Sequence, residues 1–183
     1  MPGTVKETGK LAVIERTALN SDELNIRNYA NVEREYMFEP DKINLTTKYT
    51  FNRDIYLGTC YVAMFPVFKD YGRYCRFEGS GTVFESPKQG FTETTEGHEN
   101  YIGKVGATSA ELWGDRNPDF RFRVWITGSE MADGFQNDLK VFLWDVNKFG
   151  NKLYFSKYEN DEPVEIKAGT VWDNEQGWEF IHQ

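Results

Sequence analysis

The segment that most constrains the fold is residues 141–155, VFLWDVNKFGNKLYF, in which two apolar runs rich in aromatic residues flank Asn147, Gly150 and Asn151. Asn and Gly tolerate positive φ angles, whereas Val, Phe, Trp and Tyr fit the pleated, half-buried surface of a sheet. The segment therefore predicts an antiparallel β-hairpin with a tight turn at residues 147–150, in which Gly150 could adopt a positive φ. Similar strand-turn-strand patterns recur from about Lys48 onward, which indicates an all-β chain.

The strand pattern predicts either an antiparallel β-sandwich of jelly-roll-like type or a β-barrel. We expect a single domain over residues 1–183, because a chain of this length can bury a core of its own. An N-terminal segment, residues 1–40, would pack on the strands of residues 41–183. Strands are predicted near residues 11–14, 47–56, 58–67, 73–78, 81–86, 105–113, 119–127, 138–145, 152–158, 163–167 and 177–181.

One short N-terminal helix is predicted, over about residues 22–37. Ser21 can cap its first turn, where two acidic residues follow. Tyr29, Val32 and Tyr36 recur at helical spacing and would form its buried face.

Charge and composition exclude several classes of partner. The chain has 29 acidic and 21 basic residues, a net charge of -8, and no dense run of Lys or Arg. Nucleic acids and anionic membranes both attract clustered cations, so we expect neither as a partner. Its N-terminal sequence, MPGTVKETGKLAVIER, has no apolar signal segment, so we expect a cytoplasmic protein or a secreted one whose signal was removed. The expected partner is a small polar ligand or a carbohydrate.

The two cysteines, Cys60 and Cys75, are predicted to be free thiols. A hairpin with its turn at residues 69–72 would place Cys60 opposite Gly81 and Cys75 opposite Pro66. That separation does not suit a disulfide, and free cysteine is among the most buried residue types.

Two predicted hairpins each combine an apolar face with a face of aromatic, Arg and Glu residues. Across the turn at residues 114–119, apolar matching places Glu111 opposite Arg121, which pairs opposite charges. If the mixed faces adjoin, rings could stack on a sugar while guanidinium groups bind a carboxylate. The predicted ligand-binding residues are Tyr61, Tyr74, Arg76, Arg121, Arg123 and Trp125. The alternative is a solvated outer face on which Arg and Glu pair across strands.

A catalytic role would fall to His98, Glu78 and Glu111. His98 lies in a long polar connection, from which it could act as a general acid or base over a pocket, and the two glutamates lie on the mixed faces. The sequence contains no nucleophile elbow, zinc motif or phosphate-binding loop.

Three functions therefore stay open. The first is a domain that binds a small molecule or carbohydrate, and the second is a β-barrel enzyme of isomerase, cyclase or lyase type. The third is a structural homo-oligomer that assembles through sheet edges.

No cofactor is expected from the sequence. Turns rich in Asp and Asn at residues 115–119, 145–147 and 159–162 could hold a structural calcium ion. None has EF-hand spacing, and Asp and Asn are common turn residues.

Overall fold

The structure of the chain is a computed structural model that describes residues 6–7, 11–89, 101–105, 107–127 and 141–182. The strands are β1 (Lys6–Glu7), β2 (Leu11–Ser21), β3 (Ile26–Phe38), β4 (Lys42–Phe51), β5 (Ile55–Phe68), β6 (Tyr74–Phe77), β7 (Phe84–Glu85), β8 (Tyr101–Val105), β9 (Ser109–Trp113), β10 (Phe120–Thr127), β11 (Val141–Asp145), β12 (Gly150–Ile166) and β13 (Val171–His182). One helix is described, α1 (Lys69–Gly72). No helix in the described ranges is both long and apolar enough to cross a bilayer.

The strands form two antiparallel sheets that pack as a β-sandwich. The larger sheet has nine strands in the order β1-β2-β3-β4-β13-β10-β9-β6-β7, and the smaller has four in the order β5-β12-β11-β8. We call the face of each sheet that meets the shared core its inner face, and the opposite face its outer face. The predicted all-β sandwich is confirmed, and the described strands form open sheets rather than the alternative closed barrel.

The core lies between the inner faces of the two sheets. Val124 and Ile126 of β10 belong to the same apolar cluster as Leu143, Leu153 and Phe155 of the smaller sheet. All five side chains are at most 2% exposed. Burial of each contributes roughly 1.5–3 kcal/mol, so this contact holds the sheets together.

The hairpin predicted for residues 141–155 is confirmed, since β11 pairs with β12 in an antiparallel register. The side chain of Asn147 closes the turn by accepting hydrogen bonds from the backbone N–H groups of Phe149 (2.8 Å) and Gly150 (3.2 Å). Gly150 does not adopt the positive φ that such a turn can require, because the described glycines with positive φ are Gly79 and Gly169.

The helix predicted over residues 22–37 is wrong. Ile26–Phe38 forms strand β3, which pairs with β2 on one side and β4 on the other. Ala30 and Val32 are buried at a period of two residues, as in a strand, and Asn28 has a φ of 47°, which an α-helix does not allow. Pairing with two long strands outweighs the local helical spacing.

The pairing predicted between residues 58–67 and 73–78 is also wrong. β5 pairs with β12 in the smaller sheet, whereas β6 pairs with β7 and β9 in the larger one, because α1 carries the chain from one sheet to the other. The prediction of free thiols is nevertheless confirmed for Cys60 and Cys75. Cys75 is fully buried, and burial raises the pKa of its thiol well above the ordinary value.

A buried ion pair anchors this crossover between the sheets. Lys69 of α1 donates hydrogen bonds to Asp145 Oδ1 (2.8 Å) and to the carbonyl oxygen of Pro87 (2.6 Å). The Asn151 side chain donates to the carbonyl oxygen of Gly72 at 2.9 Å. Because Lys69 and Asp145 are at most 4% exposed, removal of one partner would leave a buried charge unpaired, which costs about 3–5 kcal/mol.

We expect Gly114→Ala to destabilise the fold, because a Cβ atom there would lie 2.0 Å from the carbonyl oxygen of Asp70. Such overpacking against backbone costs about 1–3 kcal/mol in the free energy of unfolding, measured by urea denaturation. The matched control is Gly81→Ala, where a Cβ atom would meet nothing within 4 Å. Equal stability of the two variants would contradict the close approach of α1 to β9.

Candidate ligand-binding cleft

Five of the six predicted ligand-binding residues share the outer face of the larger sheet. They are Tyr74, Arg76, Arg121, Arg123 and Trp125. Strands β6 and β10, which carry them, both pair with β9, so the two mixed faces adjoin through that strand. Tyr61 lies on β5 of the other sheet and does not join this group.

The β9–β10 hairpin exists, but its register differs by two residues from the predicted one. Glu111 is opposite Arg123, and Leu112 is opposite Phe122. A shift of two residues keeps every side chain on its predicted face, since side chains alternate along a strand. Arg121 still reaches Glu111 diagonally, at 3.3 Å.

The charges of this outer face are paired with one another. Arg76 and Arg121 both contact Glu111 Oε2, at 2.6 and 3.3 Å, and Arg123 contacts Glu179 at 3.2 Å. These contacts match the alternative in which Arg and Glu pair across strands.

The aromatic rings of the outer face are also covered by neighbouring side chains. Trp113 stacks with Tyr74 from β6 at 5.9 Å between centroids, and the Arg121 guanidinium from β10 lies 4.2 Å from its ring centre. Trp125 packs over the backbone at Gly177, where a Cβ atom would lie 2.1 Å from the indole. These rings therefore pack within the sheet surface rather than forming a bare platform.

The predicted catalytic residues are placed separately or lie outside the described residues. Glu78 accepts hydrogen bonds from the hydroxyls of Ser109 (3.0 Å) and Thr108 (3.4 Å). Glu111 instead forms ion pairs with Arg76 and Arg121. His98 lies outside the described residues.

In two of the three turns considered for calcium, an aspartate pairs with cationic side chains. Asp145 pairs with Lys69, and Asp115 pairs with Arg73 and Lys88. Within the described ranges, no three His, Cys, Asp or Glu side chains converge to hold a metal ion. The side chains of residues 159–162 lie outside the description.

A different set of aromatic and polar side chains lines a cleft of about 570 Å³ between the two sheets. One wall is the inner face of β3, β4 and β13, and the other is strand β5. The larger sheet contributes Arg34, Tyr36, Leu45, Thr47, Tyr49, Gln176 and Trp178, and β5 contributes Tyr61, Val62, Ala63, Met64 and Phe65.

Strand alternation and register bring the cleft side chains together. On β4, Leu45, Thr47 and Tyr49 point to the same face at a spacing of two residues. Leu45 is opposite Gln176 of β13, and Thr47 is opposite Arg34 of β3, so neighbouring strands extend the same surface.

Two polar groups in the cleft have no hydrogen-bond partner among the described residues. The half-buried Gln176 amide makes no hydrogen bond there, and the Thr47 hydroxyl has no partner although Thr47 is 3% exposed. Trp178 packs edge-on against Phe65, with 5.5 Å between ring centroids.

Arg34 is the charged side chain of the cleft wall, and its charge is paired with that of a neighbouring carboxylate. Its guanidinium contacts Glu15 at 3.4 Å. Burial raises the pKa of Tyr49 despite the opposing effect of Arg34, so the phenol stays protonated and neutral at physiological pH. The cleft therefore presents aromatic rings and neutral hydrogen-bonding groups, beside one arginine whose charge is balanced by Glu15.

The sequence prediction missed this cleft except for Tyr61. Arg34 and Tyr36 lie in the segment predicted as a helix, so their common face with β4 was hidden. The signal was present in residues 172–178, where Trp, Asn, Gln and Trp occupy every second position. Aromatic and amide residues at every second position lie on one face of a strand, and such a face can line a pocket that is partly polar.

We expect Gly177→Ala to lower the free energy of unfolding by about 1–3 kcal/mol, because the added methyl group displaces the Trp125 indole. In a Trp125→Ala background the same change should cost little, since the obstructing ring is gone and Ala suits a strand better than Gly. Urea denaturation of the four proteins in this double-mutant cycle measures the coupling. An equal cost in both backgrounds would show that Trp125 does not pack on Gly177.

Asp115 predicts a defined pH dependence of stability. Hydrogen bonds from Tyr74, Lys88 and Arg73 lower the pKa of this carboxyl to about 2 from its ordinary 3.8. Its contribution is therefore complete above the ordinary pKa and is lost as the pH falls through the folded-state value. Wild type should be more stable than Asp115→Asn at neutral pH, and the difference should shrink between about pH 5 and pH 2. A difference that stays constant across this range in urea titrations would contradict the assignment.

Comparisons with known proteins show the fold. No protein-family profile matches the sequence, and neither does any curated protein sequence. The Slr1438 protein of Synechocystis is similar in structure, with a TM-score of 0.53 and 8% identity over 98% of this chain and 65% of that protein. A galactose mutarotase-like protein from Lactobacillus casei has a TM-score of 0.51 and 11% identity over 97% of this chain and 72% of that one. The chain thus spans less than two thirds of the Slr1438 protein, and it shares its β-sandwich fold with both.

Proposed function

We propose that the chain binds a carbohydrate in the cleft between the two sheets. The observation that carries this proposal is that aromatic rings and polar groups without a partner among the described residues share one half-buried surface. Tyr36, Tyr49 and Trp178 of the larger sheet supply the rings, and Gln176 supplies an amide with no hydrogen-bond partner among the described residues. A sugar presents apolar C–H faces ringed by hydroxyl groups, and such a surface matches both features.

The chemistry of the lining suits hydroxyl groups in particular. An amide such as that of Gln176 can donate and accept at once, as can the hydroxyl of Thr47, and a sugar hydroxyl has the same double capacity. Because these groups are partly removed from water, a hydrogen bond made there gains strength, and a group left unpaired there is costly.

The dimensions of the cleft support a small ligand. Its volume of about 570 Å³ lies within the range typical of small-molecule sites, roughly 300–1,000 Å³. The outer face is less suitable, because a ligand there would have to break the ion pairs that Glu111 forms with Arg76 and Arg121.

The structural comparison supports the same ligand class. One protein with a similar fold is described as galactose mutarotase-like, so a sandwich of this kind occurs in a protein named for sugar chemistry. In this chain the cleft lining supplies binding groups, namely rings, an amide and hydroxyls. We therefore propose carbohydrate binding as the function of the cleft.

We expect Gln176→Leu to weaken carbohydrate binding roughly two- to tenfold, because it removes one hydrogen-bonding group worth about 0.5–1.5 kcal/mol. Stability should be nearly unchanged, since the amide has no partner among the described residues. The measurement is a glycan-array screen of the wild type, followed by calorimetric titration of the strongest hit with wild type and variant.

The matched control is Gln89→Leu, at an exposed position that does not line the cleft, and it should bind as wild type does. The proposal fails if no sugar on the array binds, or if both variants bind the hit as tightly as wild type. Polarimetry on the bound sugar covers the enzyme alternative, because faster interconversion of its anomers would assign catalysis to the chain.

A further inference from the structure

A row of apolar side chains crosses the inner face of the larger sheet beside the cleft. The strand register sets Leu11 of β2 opposite Phe38 of β3, Phe38 opposite Ile43 of β4, and Ile43 opposite Trp178 of β13. We call these four residues the apolar row. Residues two positions apart on a strand share a face, so the row lies on the same face as the cleft residues of β3, β4 and β13.

The polar groups of the cleft lie farther along the same strands. Gln176 is one inward-facing position beyond the apolar row on β13, and Thr47 and Arg34 are two such positions beyond it on β4 and β3. Arg34 and its partner Glu15 are the charged residues at these positions. The inner face therefore changes from polar to apolar along one direction, from the cleft to the row.

The apolar row is accessible from solvent and joins the cleft directly. Leu11 is 48% exposed, and Phe38, Ile43 and Trp178 are half-buried. Trp178 belongs to both the row and the cleft lining. The Phe38 ring stacks on Tyr36, another cleft residue, with 6.2 Å between the ring centroids. Contiguous apolar surface of this kind commonly marks a binding site.

We propose that the ligand is a glycoside with an apolar aglycone, an inference that rests on the proposed carbohydrate-binding function. The sugar occupies the cleft beside Gln176, and an alkyl or aryl group on its anomeric oxygen lies along the apolar row. The row spans the three gaps between four adjacent strands, roughly 14 Å at about 4.8 Å each, which is enough for an octyl chain. A sugar without an aglycone would leave this apolar surface in contact with water.

The first measurement is the dependence of affinity on the aglycone. Calorimetric titrations compare the methyl and octyl β-glycosides of glucose, of galactose and of the sugar that the array identifies, all below the concentration at which the octyl compounds form micelles. Affinity should rise about tenfold or more from methyl to octyl, because each methylene group that contacts the row leaves water. The heat-capacity change of binding should also be more negative for the octyl glycoside.

The second measurement locates the aglycone on the sheet. Leu11→Ser and Phe38→Ser should lower the affinity for the octyl glycoside about threefold and about tenfold, respectively. Leu11 does not line the cleft and is largely exposed, so Leu11→Ser should fold normally and bind the methyl glycoside as wild type does. The matched control is Phe149→Ser, at an exposed phenylalanine of the β11–β12 turn, which should bind both glycosides as wild type does.

The outcomes separate this inference from the proposed function. Equal affinity for methyl and octyl glycosides overturns the aglycone inference and leaves carbohydrate binding in the cleft intact. An octyl gain that Leu11→Ser and Phe38→Ser both retain, or that Phe149→Ser removes, also overturns it, because the chain then lies elsewhere. Failure of every glycoside to bind contradicts the proposed function and removes this inference with it. Equally tight binding of tetraethylene glycol mono-octyl ether, which has the tail without a sugar, has the same consequence.

Discussion

The structure depends on the packing of a four-stranded sheet against a nine-stranded one. Burial of Val124 and Ile126 against Leu143, Leu153 and Phe155 joins the sheets, and the Lys69–Asp145 ion pair fastens the crossover between them. Because the sheets differ in width, the edge of the smaller one falls across the inner face of the larger. The inner face of the larger sheet therefore continues past β5, the edge strand of the smaller sheet. The part of that face beside β5 forms one wall of the cleft, and β5 forms the other.

The two faces of the larger sheet use similar residue types in different ways. On the outer face, arginine, glutamate and aromatic side chains lie on adjacent strands, where Glu111 is within reach of Arg76 and Arg121 and the rings are covered by their neighbours. On the inner face, the cleft wall lies opposite β5, which is the edge strand of the smaller sheet. Gln176 and Thr47 of this wall have no hydrogen-bond partner among the described residues. Position relative to the smaller sheet, rather than composition, separates a paired surface from one that can bind a ligand.

Local patterns predicted many of the strands and the side-chain faces of β9 and β10, but they did not predict strand β3 or the long-range pairing. The hairpin at residues 141–155 and the side-chain faces of β9 and β10 follow from alternation, which a two-residue register error does not alter. The partner of β5 did not follow, because α1 is only four residues long and resembles a hairpin turn while it carries the chain to the other sheet. The cleft was missed for a related reason. Tyr36 fits the helical spacing with Tyr29 and Val32 as well as the strand alternation that places it on one face with Arg34, and only the pairing of β3 with β2 and β4 decides between them.

The proposed sugar site lies on the inner face of the larger sheet and not on its outer face. The chain has five tryptophans, and each gives one indole N–H signal in a nitrogen-15 correlation spectrum. Trp178 lines the cleft, whereas Trp113 and Trp125 lie on the outer face. Addition of the sugar that binds best should shift the Trp178 signal and leave those of Trp113 and Trp125 in place. Shifts of Trp113 and Trp125 with an unchanged Trp178 signal would contradict sugar binding in the cleft.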